Sequence, residues 1–216
     1  MHPRRIHATG LVMKLFCCLL VVCSIGLTNA RGQDLSQAKA NNPANQKEVA
    51  VLKTTDGEMV IEFWPEVAPQ TVANFKKLAR EGFYDGTSFH RIVKGFMIQG
   101  GDPLTKDPSK EAIWGQGGPA HGPPDEFSNR PHVRGVISMA NIGRPNSAGS
   151  QFFICLGTAS QLNGKFTDFG RVIKGLDVLD KIGDTPITRG PGGELSKPKT
   201  RVVLESVKIV PADSVK

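Results

Sequence analysis

From residue 48 to residue 210 apolar and polar positions change over in short runs, and glycine or proline breaks the runs again and again. Val49-Ala50-Val51-Leu52 reads as a strand. Met59, Ile61 and Phe63 then alternate with Glu58, Val60 and Glu62, the period of a strand with one buried face. Asp56-Gly57 between the two predicts a two-residue hairpin. Trp64-Pro65 stops the second run. Pro69 opens a helix to about Arg80, at a position where its missing N–H does no harm. Val72, Phe75, Leu78 and Ala79 form the apolar face of that helix, and Gly82 ends it. A strand pair around Arg91 follows, then strands over 135–140 and 151–156, a strand over 167–173, a short helix over 176–182 and a last strand over 201–210. Segments 103–112, 115–124, 141–150 and 190–199 read as loops. Many short strands with two helices and no repeat favour a closed barrel or a sandwich with helices at its ends.

The first 46 residues do not share this pattern. Arg4, Arg5 and Lys14 precede the apolar run Leu15 to Leu27, which is too short to span a bilayer comfortably, and Thr28-Asn29-Ala30 offers small residues for cleavage. Residues 1–30 read as a signal peptide, with Met1 or Met13 as the start. The protein would then be exported, to the periplasm or the outside, with no stable membrane insertion after cleavage. The alternative is an uncleaved segment that anchors the chain. Residues 31–47 are polar, with too little apolar surface to offset the entropy of ordering, and read as a flexible linker. The folded domain covers 48–212.

Composition narrows the picture in two ways. The formal charge is +7, but residues 1–30 hold three bases and no acid, which leaves 24 bases against 20 acids in the rest. That bias is mild, and no basic stripe with interleaved aromatics suggests nucleic acid as a partner. Cys17, Cys18 and Cys23 would leave with the signal. Cys155 would remain without a disulfide partner, in an apolar run where a buried small hydrophobe is expected.

The chemistry-bearing stretch is Ser88-Phe89-His90-Arg91-Ile92-Val93-Lys94-Gly95-Phe96-Met97-Ile98-Gln99-Gly100-Gly101-Asp102. It sets a cation among large apolar side chains, which requires a partner for the guanidinium. Taken alone, it fits a salt-bridged strand arginine. Further along stand Gly135-Val136-Ile137-Ser138-Met139-Ala140-Asn141 and Gly149-Ser150-Gln151-Phe152-Phe153-Ile154. In this order and spacing, the three stretches resemble the cyclophilin family of peptidyl-prolyl isomerases, over roughly Glu48 to Val210.

The resemblance implies a mainly β fold, an eight-stranded antiparallel closed β-barrel capped by two α-helices. It also implies catalysis of rotation about X-Pro bonds in proline-containing polypeptides, in support of protein folding, with no cofactor and no metal, and the domain is expected to be a monomer. Such rotation breaks no bond. It needs a site that fits the twisted amide better than either planar form, with a dry pocket for the proline ring and a donor aimed at the amide nitrogen. By resemblance Arg91 is the catalytic donor. Phe96, Met97, Phe153 and Leu162 match the proline pocket, and Gln99, Ala140, Asn141 and Gln151 match the peptide groove. Phe166 stands where many members carry histidine and still walls the pocket. Gln161 stands where many carry tryptophan, which bears on the response to cyclosporin.

Other chemistries fit less well. His90, His121 and His132 lack the spacing of metal ligands. No Gly-x-Ser-x-Gly occurs, so a nucleophile elbow is missing. The glycines of 115–124 are followed by Pro123-Pro124 where a phosphate-binding loop needs a helix. The remaining rival is a groove that binds proline-containing segments as a chaperone or scaffold without catalysis.

Overall fold

In the computed structural model, residues 47–190 and 192–215 are described; the expected signal peptide and all of the linker but residue 47 lie outside them. The first hairpin pairs β1 (Glu48–Thr54) with β2 (Gly57–Phe63). Its two-residue turn is Thr55-Asp56, one step earlier than the sequence suggests. Gly57, at φ +138, already pairs with Thr54. Helix α1 (Pro69–Arg80) follows and buries Thr71, Val72, Phe75, Leu78 and Ala79.

The N-terminus of α1 is capped from a distance. Ala68, at the cap position, has no side-chain acceptor. The free N–H groups of Gln70 and Thr71 donate instead to the two oxygens of Glu126, at 3.0 and 2.9 Å. A carboxylate there also faces the positive end of the helix dipole. Asn74 of the same helix donates to the Gly149 carbonyl at 2.9 Å. Thus α1 fixes two loops as well as the core.

After it come β3 (Thr87–Ser88), β4 (Arg91–Val93), β5 (Met97–Gly100), β6 (Val136–Met139), β7 (Phe152–Cys155) and β8 (Asp168–Lys174). Helix α2 (Leu176–Gly183), β9 (Ile187–Arg189), β10 (Leu195–Pro198) and β11 (Val203–Pro211) complete the chain. The main sheet is antiparallel, with nine strands in the order β3-β11-β1-β2-β8-β6-β7-β5-β4. This corrects the expectation of a closed eight-stranded barrel. The sheet is an open, curled half-barrel, because its two edge strands, β3 and β4, are chain neighbours that do not pair. Donors at the end of β3 are already committed. The Ser88 N–H goes to Thr105 Oγ1 at 2.8 Å and the Phe89 N–H to the Val202 carbonyl at 3.0 Å.

Two expected loops are ordered. Within 103–112 lie 3-10 helices Pro103–Lys106 and Pro108–Ile113. Each is started by an Asp-Pro pair whose carboxylate accepts the N–H two residues on, Asp102 from Leu104 at 2.8 Å and Asp107 from Ser109 at 2.9 Å. Within 190–199, β10 pairs with β9 in a separate hairpin that packs beside β4.

Phe75 of α1 is the centre of the core. Its ring lies 4.9 Å from Tyr84, 5.2 Å from Phe169, 5.7 Å from Phe152 and 5.8 Å from Phe63. Ile92, Ile98, Ile154 and Ile137 carry this core across four adjacent strands, each opposite the next.

Candidate active site

Strand register separates core from site. Directly paired residues share a face, and their neighbours along each strand take the other face. The isoleucine row therefore points into the core, while the residues beside it point out. Arg91 pairs with Gln99, Gln99 with Phe153, and Phe153 with Ser138. One step along, Val93 pairs with Met97 and Met97 with Cys155. A one-residue slip would exchange the two rows, so burial of the isoleucines fixes where Arg91 points.

The outer row gathers a second, smaller apolar cluster. Met97 and Phe153, 2% and 5% exposed, form its floor with Cys155 and Ala159. Phe96, Ala140, Leu162 and Phe166 stand half-buried around it. The Phe166 ring meets Phe153 edge-on at 5.5 Å and 86°. All four residues assigned to the proline pocket are thus together, and Phe166 is with them. His132, which the sequence reading weighed only as a metal ligand, stacks on Phe153 at 6.1 Å. Its Nδ1 lies 3.0 Å from Asn163 Oδ1. Burial pushes the Cys155 thiol up to about 12, so it remains protonated and serves as packing.

Arg91 stands at the edge of this cluster, 35% exposed, with Nη1 3.8 Å from Met97 Sδ. Nη1 also donates to Gln99 Oε1 at 3.1 Å. Gln99 Nε2 donates to Gln151 Oε1 at 3.0 Å, and Gln151 Nε2 donates to the carbonyls of Gly115 and Gly117, both at 2.9 Å. Gly115 is held by Asp102, which is fully buried and accepts its N–H. A Cβ on Gly117 would come within 2.1 Å of Asp102 Oδ1, so only glycine fits. His90, beside Arg91, is kept below the usual histidine value by burial.

Two concavities meet at Gln99. A cleft of about 350 Å³ is lined by Gln99, Gly117, Ala140, Asn141, Arg144 and Gln151. The Asn141 amide is engaged locally, donating to the Lys165 carbonyl at 3.2 Å and accepting the Gly143 N–H at 3.1 Å. A second cavity, of about 260 Å³, is lined by His90, Arg91, Gln99, Trp114, Glu194 and Lys197. A larger hollow of about 570 Å³ near Trp64 shares no residue with these. Its carboxylates, Glu48, Glu62 and Glu66, are all paired with cations, so no free group converges there. Gln161 is exposed on the 3-10 turn Ser160–Leu162, next to the pocket residue Leu162. Among the described residues no group of three or more His, Cys, Asp or Glu could hold a metal ion.

Sequence reasoning missed Glu194, His132, Trp114 and the anchoring role of Asp102. Asp102 closes the quoted motif and could have been suspected. Glu194 could not, because it reaches Arg91 from 103 residues away.

A model of the cyclophilin type peptidyl-prolyl cis-trans isomerases matches residues 49–209. A probable peptidyl-prolyl cis-trans isomerase of Brucella abortus is 44% identical over 149 residues, 67% of this chain and 74% of that protein. A peptidyl-prolyl cis-trans isomerase of Synechococcus elongatus is 46% identical over 122 residues, 56% of this chain and 78% of that protein. The crystal structure of a Cryptosporidium parvum cyclophilin type isomerase, obtained in the presence of the dipeptide Ala-Pro, superposes with a TM-score of 0.66 at 31% identity. The match covers 75% of this chain and 98% of that one. With the family model spanning nearly the whole described body, this chain belongs to the cyclophilin-type peptidyl-prolyl cis-trans isomerases.

Proposed function

We propose that this isomerase turns X-Pro bonds of polypeptides over the outer face of its sheet, with Arg91 as the catalytic donor. The observation that carries this reading is the row Arg91–Gln99–Phe153, which sets a fixed cation at the rim of a dry aromatic floor. The proline ring sits on Met97 and Phe153, walled by Phe96, Leu162 and Phe166. The flanking peptide lies along Gln99, Ala140, Asn141 and Gln151. A proline-containing ligand is supported by the Ala-Pro used with the Cryptosporidium relative.

The ground state resists rotation because the amide nitrogen shares its lone pair with the carbonyl, a barrier of roughly 18–20 kcal/mol. As the bond twists, that lone pair localises on nitrogen and accepts a hydrogen bond it could not accept when planar. A guanidinium N–H placed there binds the twisted form more strongly than either planar form, which is the condition for catalysis. Arginine suits the task, since it stays charged at any working pH and offers donors in a rigid plane. The apolar floor excludes water that would weaken the bond.

The test is the exchange rate of a Pro-containing peptide with Arg91→Ala and Arg91→Lys beside the parent. Loss of about 100-fold in the alanine variant is expected, from the usual cost of removing one such donor. An Arg91→Ala protein with full activity would refute the assignment. Binding of the peptide without any acceleration by the parent would favour a non-catalytic chaperone instead.

Export followed by cleavage near Ala30 is proposed on the first 30 residues alone, and sequencing of the mature N-terminus decides it. The mature domain is proposed to be a monomer, to be checked by light scattering.

A further inference from the structure

The Arg91 guanidinium is held from two sides. Gln99 takes one N–H of Nη1. On the other side Nε and Nη2 donate to the two oxygens of Glu194, at 2.7 and 2.9 Å. This is the parallel two-point pairing that fixes a guanidinium in plane and direction at once. Arg91 in turn holds the Glu194 carboxyl below the usual glutamate range.

Glu194 belongs to the β9–β10 hairpin, which is itself tied in place. Gly190 N–H donates to the Glu194 carbonyl at 2.9 Å, Gly193 N–H to the Gly190 carbonyl at 2.9 Å, and Arg189 Nη1 to the Gly193 carbonyl at 2.6 Å. Lys197 pairs with Glu111 on the neighbouring 3-10 helix. The hairpin therefore presents its carboxylate from a fixed frame.

The partners are 35% and 48% exposed, so the pair adds little to stability. Its geometry matters more. Arginine has five N–H groups. Glu194 uses two and Gln99 one, and the second N–H of Nη1 meets only the weak acceptor Met97 Sδ, at 3.8 Å, which leaves one on Nη2 without an acceptor. Nη1 is the nitrogen nearest Met97 and the pocket floor. The carboxylate thus grips the Nε–Nη2 edge and leaves Nη1 facing the pocket, where one of its N–H groups is held only by the weak thioether acceptor of Met97. An arginine on a half-exposed strand would otherwise sample several rotamers, few of which aim that donor at the prolyl nitrogen.

We infer that Glu194 is a positioning residue for Arg91, and that the β9–β10 hairpin is part of the catalytic apparatus. The inference rests on the reading of Arg91 as the catalytic donor. It differs in sign from the other role a carboxylate on Arg91 could have, a plug that substrate must displace. A positioning residue raises kcat; a plug raises KM.

The experiment is a double-mutant cycle on the mature protein, with kcat and KM for a Pro-containing peptide measured by NMR exchange. The variants are Glu194→Gln, Glu194→Ala, Arg91→Ala and Arg91→Ala/Glu194→Ala. Glu194→Ala is expected to lower kcat about 10-fold with KM nearly unchanged, in keeping with the cost of a misplaced catalytic group. Glu194→Gln retains one acceptor and should recover part of the loss, with an unchanged melting temperature. In the Arg91→Ala background, removing Glu194 should change nothing further. A Glu194→Ala protein with the parent's kcat, a gain in activity through lower KM, or an equal loss in both backgrounds would each overturn the inference. Failure of the Arg91 reading shows separately, as an Arg91→Ala protein that keeps full activity.

Discussion

Gln99 and Gln151 face each other amide to amide, Nε2 to Oε1 at 3.0 Å, and only one orientation of each satisfies both ends of the chain they form. At one end Arg91 has only donors, so Gln99 must present oxygen to it. At the other end the Gly115 and Gly117 carbonyls only accept, so Gln151 must turn its nitrogen to them. The two amides are therefore polarised in series from the 115–117 loop to the Arg91 guanidinium.

Breaking the series at Gln151 should be felt at Arg91. Gln151→Leu keeps the bulk but takes that partner from the part-buried Gln99 N–H and from two carbonyls, at about 0.5–1.5 kcal/mol per hydrogen bond. Gln99 can then turn over and present nitrogen to Arg91, which repels it. The expected result is kcat/KM down by about 10-fold, by the usual conversion of 1.4 kcal/mol, with a cooperative melt retained. Exchange kinetics with a thermal melt on the same sample checks it. Unchanged kinetics would mean that the orientation of Gln99 is set elsewhere.

Much of this site is legible in the sequence because the residues that build it stand in three short stretches on adjacent strands. Arg91, Phe96, Met97 and Gln99 come from one hairpin, and Gln151 and Phe153 from the strand paired with it. Alternation then assigns them to one face and the isoleucines to the other. What stayed illegible is what long-range contacts decide. Nothing local to Glu126 says that it caps α1, and nothing local to Glu194 says that it grips Arg91. The open edge of the sheet was illegible for the same reason, since the Ser88 N–H goes to Thr105, 17 residues on. Two short 3-10 helices were announced by Asp-Pro pairs but were masked by the polarity around them.

Acid should loosen the seam between β1, β2 and α1. Burial alone would raise the Glu48 carboxyl, but hydrogen bonds and charge from Arg80 and Lys76 outweigh it and hold the group low. Glu62 is lowered mainly by Lys47, against burial and with help from Arg171. A carboxyl with a folded value below its unfolded value, about 4.3 for glutamate, contributes stability that is complete above the unfolded value. That contribution is lost as pH falls through the folded value. The contribution of these carboxylates to the urea midpoint should therefore be level from pH 7 to about pH 5 and drop below it, on top of the slope that buried His90 adds below its unfolded value of about 6.5. Glu62→Gln should show a shallower acid slope than the parent, and a slope identical to the parent's would exclude Glu62 from the seam. Since Glu62 is only 18% exposed, salt should weaken the effect less than for a surface pair.

The last prediction concerns cyclosporin, a large apolar cyclic peptide that binds the proline groove in this family. Members with tryptophan at the position of Gln161 offer the drug a broad apolar face and an N–H donor. Here Gln161 is exposed on the turn that delivers Leu162 to the pocket wall. It can supply an amide donor from that place, but neither the area nor the rigid shape of an indole. The missing contact is worth about 1.5–3 kcal/mol, by the burial of a large apolar side chain. Affinity for the drug should thus fall by about one to two decades relative to a tryptophan-bearing site. On the proposed reading the shorter peptide substrate leans on Arg91, Met97 and Phe153 and not on Gln161, so turnover should suffer much less. Inhibition titrations of the parent and Gln161→Trp, run beside their exchange rates, separate the two effects. The expected outcome is weak inhibition of an active parent and a gain in the variant that exceeds any change in turnover. Tight inhibition of the parent, or no gain with tryptophan, would show that the drug's affinity is set by the groove and not by the turn at 161.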